Sequence, residues 1–322
     1  MKPYPVQFRP IPVERLWGGH TMKKHFSVEH LSHPIGEYWL LSAHPNALSV
    51  VENGPLAGKT LQELTEKYPD AYLGHSPQPR FPILIKLIEA RQDLSVQVHP
   101  DDNYALQYEK DYGKSEAWYI LNSPTSQQMI YGHRFQNREE YIQAVKSKRV
   151  REYLIYQSIC EGDLVYVPAG TLHALLADTV LLEVQQTSDV TYRVYDWDRT
   201  DTSGKPRQLH VDKAADVLSY NTQLSHQALK PYRQERNHVE VLIDCPFFHI
   251  DRVQLKANTV HTIAPIQSPI TIIMVSGTAF MEWDTLPAHA VKHFAAWMIP
   301  VGSETRLTAQ DDVVFLQVTY HD

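Results

Sequence analysis

The chain has 322 residues, 43% hydrophobic and 21% charged, the balance of a water-soluble globular protein with room for one large domain or two. Its net charge of −7 gives no general attraction to nucleic acid or an anionic membrane, although a local basic pocket for a phosphate is compatible with it. No run of about 18 uninterrupted apolar residues reads as a membrane span, and Pro3, Pro5, Pro10 and Pro12 break up any leader-like core.

Residues 1–60 are rich in turn signals, with short extended pieces at 36–42 and 48–52. Thr60 reads as the cap of a helix over 61–68, with Glu63 completing a capping box. Residues 81–89 form an apolar run around Lys86, expected as a buried strand that turns into a second one at 94–99. A helix over 101–112 follows, capped by Asp101 or Asp102, then a strand at 116–122. Asn137 caps a helical excursion expected over 137–157. Strands return at 162–167, near His173, at 181–185 and at 191–195.

Residues 219–238 are polar and unpatterned, a candidate linker. Beyond it, short β-type runs at 239–243, 247–254, 259–263, 269–276, 278–282, 292–299 and 312–320 recur between turns, the spacing of a sandwich or small barrel. The expected division is a domain over 1–225 with helical insertions near 61–68, 101–112 and 137–157, then a smaller β-sandwich over 236–322. Cys160 and Cys245 are far apart, which suits a reducing cytoplasm better than a disulfide scaffold.

The first chemical signal lies at Leu94 to Pro100. Alternation puts Leu94, Val96 and Val98 on one face and Ser95, Gln97 and His99 on the other. Polar groups lining the inside of a sheet need partners, and a metal ion is one. The second signal is Gly162, then Pro168, Gly170 and His173. Proline fixes φ and glycine accepts a positive φ, so this spacing makes a turn that presents His173 on the next strand. It resembles the second conserved motif of the cupin barrels, whose histidine is a metal ligand; the asparagine common at its end is Ala177 here. Glu116 supplies a carboxylate of the kind found in the first cupin motif. Two imidazoles and a carboxylate suit Zn²⁺, with Mn²⁺, Fe²⁺ or Co²⁺ as other occupants of such a set.

Longer segments make the resemblance specific. They are Arg15 to Gly19, Ile35 to Trp39, Phe81 to Asp102, Gly113 to Tyr119, the Gly162–His173 motif and Gln185 to Arg199. Over about the first two-thirds of its length the chain resembles the type I mannose-6-phosphate isomerases (phosphomannose isomerases), in their short bacterial form. The resemblance implies a mainly β fold, a cupin (jelly-roll) barrel with helical insertions and a second, smaller C-terminal cupin-like sandwich. It implies one zinc ion per chain, bound by Gln97, His99, Glu116 and His173. It also implies active-site roles for Arg193, Lys114 and Glu183. Ser95 and Lys86 are expected to touch substrate. Glu183 sits on an otherwise apolar strand, and a carboxylate buried there needs a cation.

The implied reaction interconverts mannose 6-phosphate and fructose 6-phosphate in the cytoplasm, with no nucleic-acid or membrane partner. Glu183, Lys114, a metal-bound hydroxide and an imidazole are all candidates for the base. An Fe²⁺ cupin oxygenase on the same ligands and a non-catalytic sugar-phosphate binder are the rival readings. Sequence sets neither the oligomeric state nor the residues that hold the phosphate. His249, His261, His289 and His293 are read as structural or surface groups without a second metal.

Overall fold

The computed structural model describes residues 2–200, 204–220, 234–236, 238–284 and 288–321. It is mainly β, as expected, with neighbouring strands paired antiparallel in four sheets. Among the described residues, no helix is long and apolar enough to cross a membrane.

Two compact units emerge from the internal contacts. One comprises Met1–Ile11, Trp39–Ile85 and Pro231–Asp322; the other comprises Pro12–Tyr38 and Lys86–Lys230. The expected division into 1–225 and 236–322 differs from this in its first part. Residues 1–11 and 39–85 group with the C-terminal strands because Val6–Arg9 pairs with Ala296–Ile299 on one side and Val50–Val51 on the other. Most of the expected linker, 221–233 and 237, lies outside the described residues.

The first unit contains an eight-stranded and a four-stranded sheet. The helix expected at 61–68 is present as Leu61–Lys67, with its capping box: Glu63 N donates to Thr60 Oγ1, and Thr60 N to Glu63. The run expected as one strand at 292–299 is divided. Only Ala296–Ile299 is extended as a strand there, because Phe294 takes a left-handed φ of 59°. His289–Val291 and Thr305–Ala309 are strands that periodicity missed.

The second unit packs a five-stranded sheet face to face with a six-stranded one. The five-stranded order is Tyr192–Tyr195, Val96–Val98, His173–Ala174, Gln128–His133, Leu154–Ser158. The six-stranded sheet runs from Leu164–Val167 through Glu116–Asn122, Thr179–Gln186, Ile83–Ala90 and Ile35–Leu41 to Ile11–Gly19. Between the sheets, Trp118, Met129, Tyr131 and Leu181 form one apolar cluster. On the far face of the five-stranded sheet, Val96, Val98, Ile130 and Val194 pack with Tyr141, Ala214 and Ala215 of two helices, Arg138–Lys146 and Val211–Val217. Full burial of each such aliphatic side chain contributes about 1.5–3 kcal/mol. Every second residue of those strands then faces inward.

Three expectations in this unit are corrected. The helical excursion over 137–157 is helix only at Arg138–Lys146, followed by a 3₁₀ turn and the strand Leu154–Ser158, which pairs with Gln128–His133. Val150, in the 3₁₀ turn, and Leu154, on the strand, both reach the core. The helix over 101–112 ends at Tyr108, and Lys110 beyond it has a left-handed φ of 57°. Leu94 does not share a face with Val96 and Val98: the strand starts only at Val96, Leu94 N donates to Leu175 O, and Leu94 joins the cluster between the sheets. Prolines concealed the strand Ile11–Gly19, which tolerates Pro12 because it is the edge of its sheet.

Candidate functional site

Register assembles the site. Arg193 lies opposite Gln97, and Gln97 lies opposite His173, so three side chains stand in one row across three adjacent strands. Pro168 and Gly170 make the expected turn before His173. Gly170 has a φ of 84°, its N–H donates to His99 O at 2.9 Å, and a Cβ there would meet Ser219 Oγ at 2.4 Å. From the facing sheet, Glu116 opens its strand beside Val167 and Gln185, and Glu183 lies opposite Trp118.

His99, Glu116 and His173 converge. One ligand atom from each lies within 4.8 Å of the others, and all three residues are buried. His99 Nδ1 donates to Val190 O at 2.8 Å and His173 Nδ1 to Thr171 O at 2.9 Å. A carbonyl only accepts, so both Nδ1 atoms carry the proton and both Nε2 lone pairs are left for the centre. Those Nε2 atoms stand 3.5 and 3.4 Å from the two oxygens of Glu116. Burial, then Lys114 and His173, push His99 well below its ordinary range, and burial takes His173 down to about 4. Both rings are therefore neutral at physiological pH, the form in which an imidazole can bind a metal.

Glu116 carries the clearest mark of a cation site. Burial lifts its carboxyl to about 7 against the pull of Lys114, and its Oε1 has no hydrogen-bond partner. An orphaned carboxylate oxygen at zero exposure is costly unless a cation meets it. Gln97 reaches the group through its amide nitrogen, 3.3 Å from His173 Nε2; rotation of the amide exchanges nitrogen for oxygen. The donor set of two imidazoles, a carboxylate and an amide fits a metal ion.

A cavity of about 370 Å³ opens beside these groups. Lys114, placed just before the Glu116 strand, donates to Glu116 Oε2 at 2.7 Å and lies 3.1 Å from His99 Nε2. Glu183 accepts from Trp118 Nε1 at 3.3 Å and meets Lys86 Nζ at 3.1 Å. Burial raises the Glu183 carboxyl, but Lys114 and Lys86 outweigh it and hold it below its ordinary value. Lys86 is thus the cation that the buried carboxylate required. Burial works against the Lys86 charge too, yet Glu183 and Glu37 hold it above its usual range. Ser95 and Arg193 also line the cavity. Asp196, three residues on from Arg193, is buried and pairs instead with Arg199 and Arg207, each at 2.6 Å. All nine site residues singled out in the sequence fall in this one unit.

Sequence reasoning passed over Arg15, Glu37 and Arg207, which also line the cavity. Arg15 forks onto Glu37 at 2.9 and 3.2 Å, and Glu37 stands 3.9 Å from Lys86. A charged residue on a wholly buried strand, as Glu37 is on Ile35–Leu41, was the available signal.

Comparisons with known proteins agree with this geometry. A model of the phosphomannose isomerase type I catalytic domain matches residues 9–122. A probable mannose-6-phosphate isomerase of Bacillus subtilis is 45% identical over 217 residues, 67% of this chain and 69% of the relative. A mannose-6-phosphate isomerase of Streptococcus mutans is 38% identical over 76% of this chain and 77% of the relative. The crystal structure of the mannose 6-phosphate isomerase from Bacillus subtilis has a TM-score of 0.88 at 30% identity, over 98% of this chain and 100% of that one.

Proposed function

The chain belongs to the type I phosphomannose isomerase family, and from that premise we infer that it interconverts D-mannose 6-phosphate and D-fructose 6-phosphate. The observation that carries the reading is the buried His99, Glu116 and His173 triad opening onto a cavity that also holds Lys114, Glu183 and Arg193. We propose Zn²⁺, one per chain, held by His99, Glu116, His173 and the amide oxygen of Gln97. When bound, it supplies Lewis acidity toward a carbonyl or hydroxyl oxygen of the sugar.

The chain's own groups do the rest. An aldose–ketose interconversion moves a proton between C2 and C1 through an enediolate. Glu183, held ionised by Lys114 and Lys86, and Lys114 itself are the cavity side chains suited to take and return that proton. Arg193 stabilises the negative charge that develops on the enediolate oxygen. Ser95 and Lys86 orient the sugar hydroxyls from the cavity wall. Free thiols at Cys160 and Cys245 support a reducing compartment, the cytoplasm.

The test is a coupled isomerase assay on mannose 6-phosphate with and without chelator. Fructose 6-phosphate formed in a chelator-sensitive, zinc-restored manner is expected. No product, or product indifferent to chelator, overturns the reading.

A further inference from the structure

The two imidazoles of the triad take their orientation from carbonyls of different origin. His173 Nδ1 donates to Thr171 O, two residues back in its own turn. His99 Nδ1 donates to Val190 O, 91 residues away in sequence, at 2.8 Å. Val190 belongs to the loop between the strands Thr179–Gln186 and Tyr192–Tyr195, which lie in different sheets. A tight local turn therefore sets the tautomer of His173, and the path of a loop sets that of His99.

Gln185 stands at the root of that loop. It lies opposite Glu116 on the neighbouring strand and two residues after Glu183, so alternation puts all three on one face. It is fully buried. Its Nε2 donates to Gln186 O at 2.8 Å and to Ser188 O at 2.6 Å. Carbonyls only accept, so the amide is fixed with its nitrogen toward the loop. Among the described residues, Gln185 Oε1 meets no donor. A buried amide whose oxygen goes unmet is held in place for its two N–H groups. Within the loop, Ser188 N donates to Gln186 O at 2.7 Å and Val190 N to Ser188 Oγ at 3.3 Å. Thr187 and Ser188 are as buried as Gln185. The segment 186–191 contains neither glycine nor proline, so these hydrogen bonds, and not a backbone preference, define its turn.

We propose that Gln185 is a positioning residue for the metal centre: with Ser188 it folds the 187–190 loop so that the Val190 carbonyl keeps the His99 proton on Nδ1 and leaves the Nε2 lone pair to the metal. The proposal rests on the metal-site reading for its purpose, but not for the tautomer itself. Without the two amide donors, the buried carbonyls of Gln186 and Ser188 each lose a partner and the loop no longer has one path. An imidazole released from a fixed acceptor carries its proton on either nitrogen, and the Nε2–H form offers no lone pair to the centre.

The test compares full-length parent and Gln185→Met, which keeps an unbranched side chain and removes both donors. In zinc-free protein labelled with ¹⁵N-histidine, long-range nitrogen–proton spectra report the tautomer of each ring, and the His99 signals are those missing from His99→Ala. The parent should show the His99 proton on Nδ1. Gln185→Met should show His99 in both tautomers and His173 still on Nδ1, since the carbonyl of Thr171 owes nothing to the loop. Zinc affinity, measured by chelator competition, should fall about 10- to 100-fold. Ser188→Ala, which removes the acceptor of Val190 N, should move His99 in the same direction, and it decides the matter if Gln185→Met does not fold. A His99 proton that stays on Nδ1 in the folded variants overturns the proposal. So does an equal change at His99 and His173, which would mark general loosening of the fold. The tautomer is read without turnover, so the two readings fail separately. A protein whose His99 responds to Gln185 but which makes no fructose 6-phosphate supports the positioning role and refutes the isomerase. An active isomerase whose His99 ignores both variants does the reverse.

Discussion

Arg193 and Gln97 sit directly opposite one another on adjacent antiparallel strands. The pairing places a guanidinium beside a metal-ligand candidate without making it a ligand. Arg193→Ala is therefore expected to lower turnover by about 10²–10³-fold, the scale of losing one preorganised donor to a developing oxyanion. Bound zinc, measured by elemental analysis, should stay at the parent level. Loss of zinc with activity would show that Arg193 holds the site together instead.

Metal retention should depend on the imidazoles in the opposite sense. His99→Ala and His173→Ala each remove a neutral nitrogen donor from a buried set. Zinc content should drop from the parent level toward zero, with activity falling in proportion. Full zinc content in either variant would remove that residue from the ligand set.

Gln186 holds the segment that carries Lys114 and Glu116. Its Oε1 accepts from Ser115 N at 2.9 Å, and its Nε2 donates to Asp102 at 3.1 Å. Gln186→Leu would leave Ser115 N–H buried without an acceptor, a cost of about 1–3 kcal/mol. Urea unfolding should register that loss, and zinc affinity should weaken about 10- to 100-fold, as for other groups that orient ligands. A variant with parent stability and parent zinc affinity would show that the clamp is dispensable.

Acid should destabilise the fold partly through His133. Burial takes this ring down to about 4, and its Nδ1 accepts from Phe135 N at 3.1 Å. The folded value lies below the ordinary 6.5. The neutral ring's stabilising contribution is thus present in full above about pH 6.5 and is lost as pH falls toward 4. His133→Asn keeps an acceptor and removes the proton uptake. Urea midpoints at pH 7.5 and pH 5 should differ less in the variant than in the parent; an equal difference would exclude His133 as a contributor.

The inner row of the five-stranded sheet was legible because alternation and glycine chemistry are local. Ser95, Gln97 and His99 could be set on one face from alternation, His173 could be placed at the start of the next strand from its proline–glycine turn, and Glu183 could be recognised as a carboxylate in need of a cation. What spacing cannot provide is register. Lys86 as the partner of Glu183, and Arg207 as a co-owner of Asp196, depend on which strands and segments lie side by side. The same limit explains the grouping of residues 1–11 with strands near 296, a pairing across almost the whole chain. Leu94 was misplaced because a three-residue strand is too short for alternation to extend beyond its end.

Both imidazoles are oriented by main-chain carbonyls, those of Val190 and Thr171. No side-chain replacement at either position can delete its acceptor. The tautomer that readies each ring for metal is thus inherited with the backbone path, insulated from drift in the residues that supply it. The cavity wall has no such insulation, since Ser95, Arg193 and Arg207 contribute their own side chains. Divergence can therefore retune which phosphosugar is accepted while the metal-binding geometry passes unchanged from one descendant to the next.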